Sequence, residues 1–435
     1  MPTPADIAHL LRRAGFGGTA AEITTLAGQP LDQTVDQLLD FSAAPDDAQP
    51  DFLTDDAFAD WEREYLLQQW WLDRMATTAC PLQEKLALFW HGHFATQNEK
   101  VGDMLLMYQQ NSLFRHAGAG NFRDLVHSMS LQPAMLIYLD NDPNVAGEPN
   151  ENFARELMEL FTLGVNQYTQ LDVEASARAW TGFNTLNSDR EQFHFYPTRH
   201  DNGMKTFMGV TRNFDGPAII DYILAENTVK KMTAARFIAK KVWTFFAYSS
   251  PDSTLLDAIT QAFYDSDLDI TTLLRAIFLR PEFYSPTAYQ GLVRSPVEWV
   301  VALMRTLNVT AEDTNPQWWM SDMGQQLFEP PNVAGWKNNA YWISTTALWA
   351  RADFARYLTW FVNDSGFLNQ IPGLSVSAGV QAAFDAFGVD SPATATRTHL
   401  QTWLTGQRAA PGQWPDWQFI NLTTLTMLSP DFNLS

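Results

Sequence analysis

Apolar residues recur at helical spacing along nearly the whole of this 435-residue chain, and that periodicity restricts the fold more than any other feature. Pro4 and Ala5 open a segment in which Ile7, Leu10 and Leu11 form one stripe, and Gly15, Gly17 and Gly18 are suited to end it. Similar stripes run over 20–27, 31–40, 58–77, 81–90, 101–110, 122–130 and 152–163. They resume over 173–181, 219–226, 228–246, 255–265, 270–278, 296–307, 345–360, 376–387 and 416–426. The expected fold is mainly α: a single large multi-helix domain, 1–435, with a small β-hairpin and long irregular loops. No repeat, low-complexity tract or flexible linker divides it.

Two stretches break the helical period. In the insertion 184–216, Gln192–Tyr196 and Lys205–Val210 alternate in a strand-like way around the turn-rich residues 199–203, which predicts one small hairpin. The segment 328–342 is rich in Pro, Gly and Asn and cannot be a regular helix. Loops held against a rigid helical body are favoured places for binding chemistry, so this segment is expected to lie over a cleft.

Composition narrows the partners. With 28 basic against 49 acidic residues the net charge is −21, which repels a polyanion and argues against a nucleic-acid partner. The single cysteine, Cys80, excludes an intrachain disulfide and any multi-thiolate metal site. No apolar run reaches the roughly 18 residues of a membrane span, and residues 1–18 lack the basic, apolar, small-residue order of a signal peptide. Nucleotide-binding glycine loops, the Gly-x-Ser-x-Gly elbow and His-Glu-x-x-His are missing as well.

Four segments could carry chemistry. In Phe89-Trp90-His91-Gly92-His93-Phe94, the imidazoles of His91 and His93 would point about 200° apart on a helix, but Gly92 permits a turn that brings both to one divalent metal. The alternative is a helix end packed by aromatic rings, including Trp90. The segment 150–164 places Glu151, Asn152, Arg155, Glu156 and Glu159 on one helix face. That face is either a solvated ion-pair ladder, or a site in which Glu156 and Glu159 are paired carboxylates and Arg155 keeps one of them ionised. His200 and Asp201 at the hairpin tip have the composition of an oriented general base, and equally that of any polar turn. Asn332, Trp336 and Trp342 could form a sugar-stacking subsite or a loop sealing a core.

Taken in order, these blocks resemble a known family. The pieces are His9 to Gly17, Phe89 to Thr96, Gly120 to Leu125, Pro133 to Asp140, Asn150 to Gly164, Ala177 to Gly182, His200-Asp201, Ser295 to Glu298 and Pro330 to Trp336. Together they resemble the bacterial family of unknown function numbered 1800 (DUF1800). The resemblance implies a mostly helical protein without an assigned activity. It also implies a periplasmic or secreted setting, from which the missing signal sequence departs, and a genomic neighbour resembling sulfatases or alkaline phosphatases as a partner.

The function expected from these readings is an enzyme with a His/carboxylate cleft, metal-dependent or not, that hydrolyses a polysaccharide or other cell-envelope polymer. Glu156, Glu159, Arg155, His200 and Asp201 would be catalytic, His91 and His93 would hold any metal, and Trp336, Trp342, Asn332 and Trp90 would bind substrate. Two alternatives stand beside it: a non-enzymatic envelope or assembly protein whose marked blocks are structural, and a metal-binding scaffold without turnover.

Overall fold

The computed structural model describes residues 1–186, 189–362, 374–389, 392–407 and 416–435. Within them helix follows helix from Pro4–Arg13 to Pro430–Asn433, and the strands form two separate antiparallel ribbons. The chain is thus a mainly α protein, and its helix ends show why. The hydroxyls of Thr3, Thr169 and Ser295 accept from the backbone three residues on, while Asp6, Asp172 and Glu298 reach back to the capping residue. These reciprocal boxes satisfy N–H groups that a helix start leaves without partners. Buried apolar side chains form one continuous cluster drawing on residues from Leu10 to Phe432, with a satellite of Ile7, Ala8, Leu11 and Ile23.

The helix Pro81–His93 runs through that cluster, and every residue from Leu82 to His91 is buried. A helix enclosed on all sides should be apolar throughout, yet this one also encloses Glu84 and Lys85. Both charges are met. Glu84 accepts from Arg74 Nε at 2.6 Å, Arg115 Nε at 2.7 Å and Trp71 Nε1 at 2.9 Å. Lys85 pairs with Glu298 and donates to the Gly15 carbonyl at 3.0 Å. Removing one partner of such a pair would leave an uncompensated buried charge, at a cost of about 3–5 kcal/mol. The pairs therefore fix how neighbouring helices dock on this one.

The insertion differs from the single hairpin expected. Phe183–Leu186 pairs with Asp189–Phe195, placing Phe183 opposite Phe195, and Lys205–Phe207 pairs with Val210–Arg212. Residues 192–196 and 205–210 do not face one another. The second ribbon closes through Met208 and Gly209, both at positive φ (46° and 82°), a two-residue turn whose twist matches the flanking strands. Such a local closure is favoured over one spanning residues 197–204.

The stretch 152–163 also departs from a uniform α-helix. Asn152–Glu156 is α-helical, but Leu157–Thr162 is a π-helix in which Leu163 N–H bonds the Met158 carbonyl five residues back, at 2.9 Å. The wider turn leaves the carbonyls of Leu160 and Phe161 to accept from side chains of other helices. π-Turns of this kind recur at functional sites.

Candidate functional site

A cleft of about 400 Å³ lies where the helix Pro81–His93 meets the helix Thr228–Phe246. The first helix contributes Phe89, Gly92 and His93, and the second contributes Phe237, Lys240, Lys241 and Thr244. Ala334, Trp336, Asn338, Asn339 and Trp342 come from the irregular segment, and Arg13, Ser295 and Glu298 complete the lining.

At the meeting of the two helices the Lys241 ammonium donates to His93 Nδ1 at 2.9 Å and to the Leu160 carbonyl at 3.2 Å. The other ring nitrogen of His93, Nε2, bonds the Phe161 carbonyl at 3.1 Å and must be its donor. The tautomer is therefore set by the π-turn. Burial, reinforced by the Lys241 charge, holds the His93 imidazolium far below its usual range, so the ring stays neutral and accepts from the lysine. Burial also lowers the Lys241 ammonium to about 8. Among the described residues no carboxylate pairs with it. An ammonium has three protons to donate, and two are taken by His93 and Leu160. The third has no hydrogen-bond acceptor among the described residues, and the Phe237 ring of the cleft wall lies 4.9 Å from the nitrogen.

Behind the opposite part of the lining, where Arg13 and Glu298 lie, further cations are buried. Lys85, Arg13, Arg294 and Arg351 all interact with the one carboxylate of Glu298, and burial lowers the pKa of each of the four. Arg13 donates to the Ala288 carbonyl at 2.8 Å, but its Nε is buried without a partner. With Arg13, Lys240 and Lys241 against the one side-chain carboxylate of Glu298, the lining holds more basic than acidic side chains, although the chain as a whole is strongly acidic.

The irregular segment is held against this cleft by His91. His91 Nε2 accepts the backbone N–H of Phe328 at 3.0 Å, and its ring lies 5.3 Å from that of Trp336. On a continuous helix His91 and His93 point to different sides, and here one clamps the segment while the other faces Lys241. Their expected convergence on one ion does not occur. Among the described residues no group of three or more His, Cys, Asp or Glu is arranged to hold a metal. The donor set does not fit a divalent cation.

Of the residues expected to bind or catalyse, the cleft brings together His93, Trp336 and Trp342. Trp90 is fully buried and donates to the Gly118 carbonyl at 2.9 Å, which makes it a core residue. Asn332 accepts from the Ala334 N–H at 2.9 Å and so closes its own turn. Arg155 pairs with Glu151 at 2.9 Å on a part-exposed face, the ladder arrangement. Glu159 bonds the Tyr168 hydroxyl, and burial together with Glu159 raises the Glu156 carboxyl; neither lines the cleft. His200 and Asp201 do not form a dyad. In extended backbone, successive side chains diverge: His200 Nδ1 bonds the Thr181 carbonyl at 2.8 Å, and Asp201 takes the Arg178 guanidinium at 2.6 and 3.2 Å. That pair holds the Asp201 carboxyl down to about 2 and fastens the insertion to the helix Gln170–Ala179.

Residues 9–434 match the family model described as protein of unknown function, DUF1800. The chain belongs to the DUF1800 family. No curated protein and no solved structure matches it. In this DUF1800 chain no helix among the described residues is long and apolar enough to cross a membrane.

Sequence reasoning overlooked Lys241 in this DUF1800 chain, though a signal was present. Lys241 continues the stripe of Ala234, Phe237, Ile238 and Phe245, a core position occupied by a cation. It also overlooked Glu329, beside the clamped Phe328. Burial, then the charge of Glu64, pushes the Glu329 carboxyl up to about 7, even though it accepts the Glu99 N–H at 2.9 Å.

Proposed function

We propose that this DUF1800 protein is an enzyme that cleaves a cell-envelope polymer bearing acidic groups, with the Lys241 cleft as its active site. The observation that carries the reading is the buried Lys241–His93 contact at 2.9 Å in the wall of the cleft, where among the described residues the lysine has no carboxylate partner. With its amine lowered to about 8, Lys241 exchanges protons near neutral pH, as a general acid–base group requires. His93 is a positioning residue: it orients the amine and stays uncharged. Arg13 and Lys240 would attract an acidic substituent, and Trp336 and Trp342 supply apolar faces for a sugar ring.

The test is release of new reducing ends from acidic envelope polysaccharides by wild type and by Lys241→Met. Wild type is expected to release them, and the variant to be slower by about 10²–10⁴-fold, the usual contribution of a positioned proton-transfer group. No release by wild type, or equal release by the variant, overturns the proposal.

A non-enzymatic assembly role is supported by a different observation. The polar side chains of several marked blocks are used internally: His91 on Phe328, Arg155 on Glu151, Asp201 on Arg178. This reading expects cleft substitutions to leave the protein's role intact, and substitutions that break the buried His91 clamp on Phe328 to remove it through loss of folded protein.

A further inference from the structure

We infer that a second face of the molecule is a binding groove for an uncharged polysaccharide chain. The inference does not depend on the cleft at Lys241. A groove of about 740 Å³ lies between the helices Asp60–Thr77 and Pro316–Asp322. Trp61 and Trp318 line it with 70% and 66% of their surface in water. Rings of this size ordinarily contribute their area to a core or an interface. These two do neither within the chain.

Next to Trp318 in the chain is an amide with nothing to bond. Gln317 is only 6% exposed and lines the groove, yet neither its Oε1 nor its Nε2 has a partner. Buried polar atoms are paired in the great majority of native structures. An unused acceptor beside an unused donor, at the wall of a groove, suits a ligand group that both donates and accepts, and a hydroxyl does both. The neighbouring polar groups are held still. Gln68 and Gln326 each donate to Glu64 Oε1, at 3.2 and 3.1 Å, and the Tyr65 ring packs edge-on against Trp318 with centroids 6.3 Å apart.

A sugar ring combines the two requirements: an apolar C–H face to lie on an indole, and a rim of hydroxyls for the amide. The groove is lined by Glu64 and Asp322 and by no lysine or arginine. With two carboxylates and no cation in its wall, this groove, unlike the Lys241 cleft, repels an anionic glycan or an anionic bilayer. A chain is favoured over a single sugar because the aromatic surface continues. Trp319, at the groove edge, also lines the adjacent hollow of about 620 Å³, where Trp360 is 78% exposed.

The experiment is affinity electrophoresis of the full chain through gels containing mixed-linkage β-glucan, xyloglucan or soluble starch, with alginate and chitosan gels and phosphatidylcholine/phosphatidylglycerol vesicles beside them. Wild type is expected to be retarded by at least one neutral polysaccharide. Trp61→Ala and Trp318→Ala should each raise Kd at least about tenfold. Gln317→Leu should weaken binding while its melting temperature holds or rises, since it removes an unsatisfied buried amide. Lys241→Met should bind as wild type does. The proposal is overturned if no neutral polysaccharide retards the wild type, if the tryptophan variants bind unchanged, or if Lys241→Met abolishes retardation, which would assign the glycan to the cleft. It is equally overturned if retention is confined to alginate or chitosan, or if Trp61 and Trp318 are needed only for vesicle binding.

Discussion

Gly335 lies so close to Gly92 that a Cβ built on it would sit 2.2 Å from the Gly92 carbonyl oxygen. This contact seats the irregular segment on the helix that carries His91 and His93, and it depends on a residue without a side chain at φ +73°. A Cβ on Gly92 itself would meet nothing within 4 Å, because that position opens on the cleft.

The two glycines should therefore respond oppositely. Gly335→Ala is expected to cost about 2–4 kcal/mol, from steric overlap plus left-handed strain. Gly92→Ala should stabilise the helix by about 0.5–1 kcal/mol. Gly92→Leu should fill the cleft and abolish polymer cleavage in a folded protein. Urea titrations with parallel reducing-end assays check all three, and equal destabilisation by the two alanine variants would contradict the packing described.

Lys241 should be more reactive near pH 8 than an ordinary lysine. At its lowered pKa about half the groups are neutral there, whereas an ordinary lysine, near 10.4, stays charged. Limited acetylation followed by peptide mapping across pH should give a midpoint near 8 for Lys241, and a midpoint above 10 would contradict its burial. Folded Lys241 binds fewer protons than the unfolded chain between pH 8 and about 10.4, so its effect on stability is a rise with pH across that window.

Acid should destabilise the protein through its buried histidines. Burial holds His91 near 3 and His9 near 2, and His93 is far below its usual value as well. Below pH 6.5 the unfolded chain gains protons that the folded chain does not, and each histidine removes about 1.4 kcal/mol per pH unit. Asp73, Glu156 and Glu329, raised mainly by burial, act in the opposite sense, because the folded state protonates them first as pH falls. Carboxyls held down by cations, Asp201 by Arg178 and Glu298 by Lys85, add to the loss at lower pH. His91→Gln, which keeps an acceptor for the Phe328 N–H, should reduce the slope of stability against pH by about 1.4 kcal/mol per unit between pH 6 and 4. Denaturant midpoints at several pH values measure this, and an unchanged slope would refute it.

The two arginine–carboxylate pairs in the marked blocks should differ in weight. Arg155→Ala removes a part-exposed i,i+4 pair and should cost no more than about 0.5 kcal/mol. Arg178→Ala removes a two-bond clamp that ties the insertion to a helix, and should cost about 1–2 kcal/mol. Thermal unfolding of both variants checks the order, and the reverse order would show that the insertion is not held by Asp201.

What was legible in the sequence follows the range of the interactions involved. The apolar stripes repeat over three or four residues, so the helices could be read directly. Met208-Gly209 is also a local signal, and overlooking it turned two ribbons into one expected hairpin. The spacing of His91 and His93 left a turn open, but the helix continues through Gly92 and separates them. Trp90 and Trp336 have the same chemistry. One donates to Gly118 inside the core and the other lines the cleft, a difference decided by which helix face meets which neighbour.

Sequence alone determined the helical class, the family and the absence of a thiolate site, because periodicity, ordered motifs and composition need no partner in space. Tertiary structure decided the site. Lys241 meets His93 across 148 residues, and their altered proton affinities exist only because packing removes both from water. The groove at Gln317 is a second case: an amide without partners is invisible until the chain has buried it.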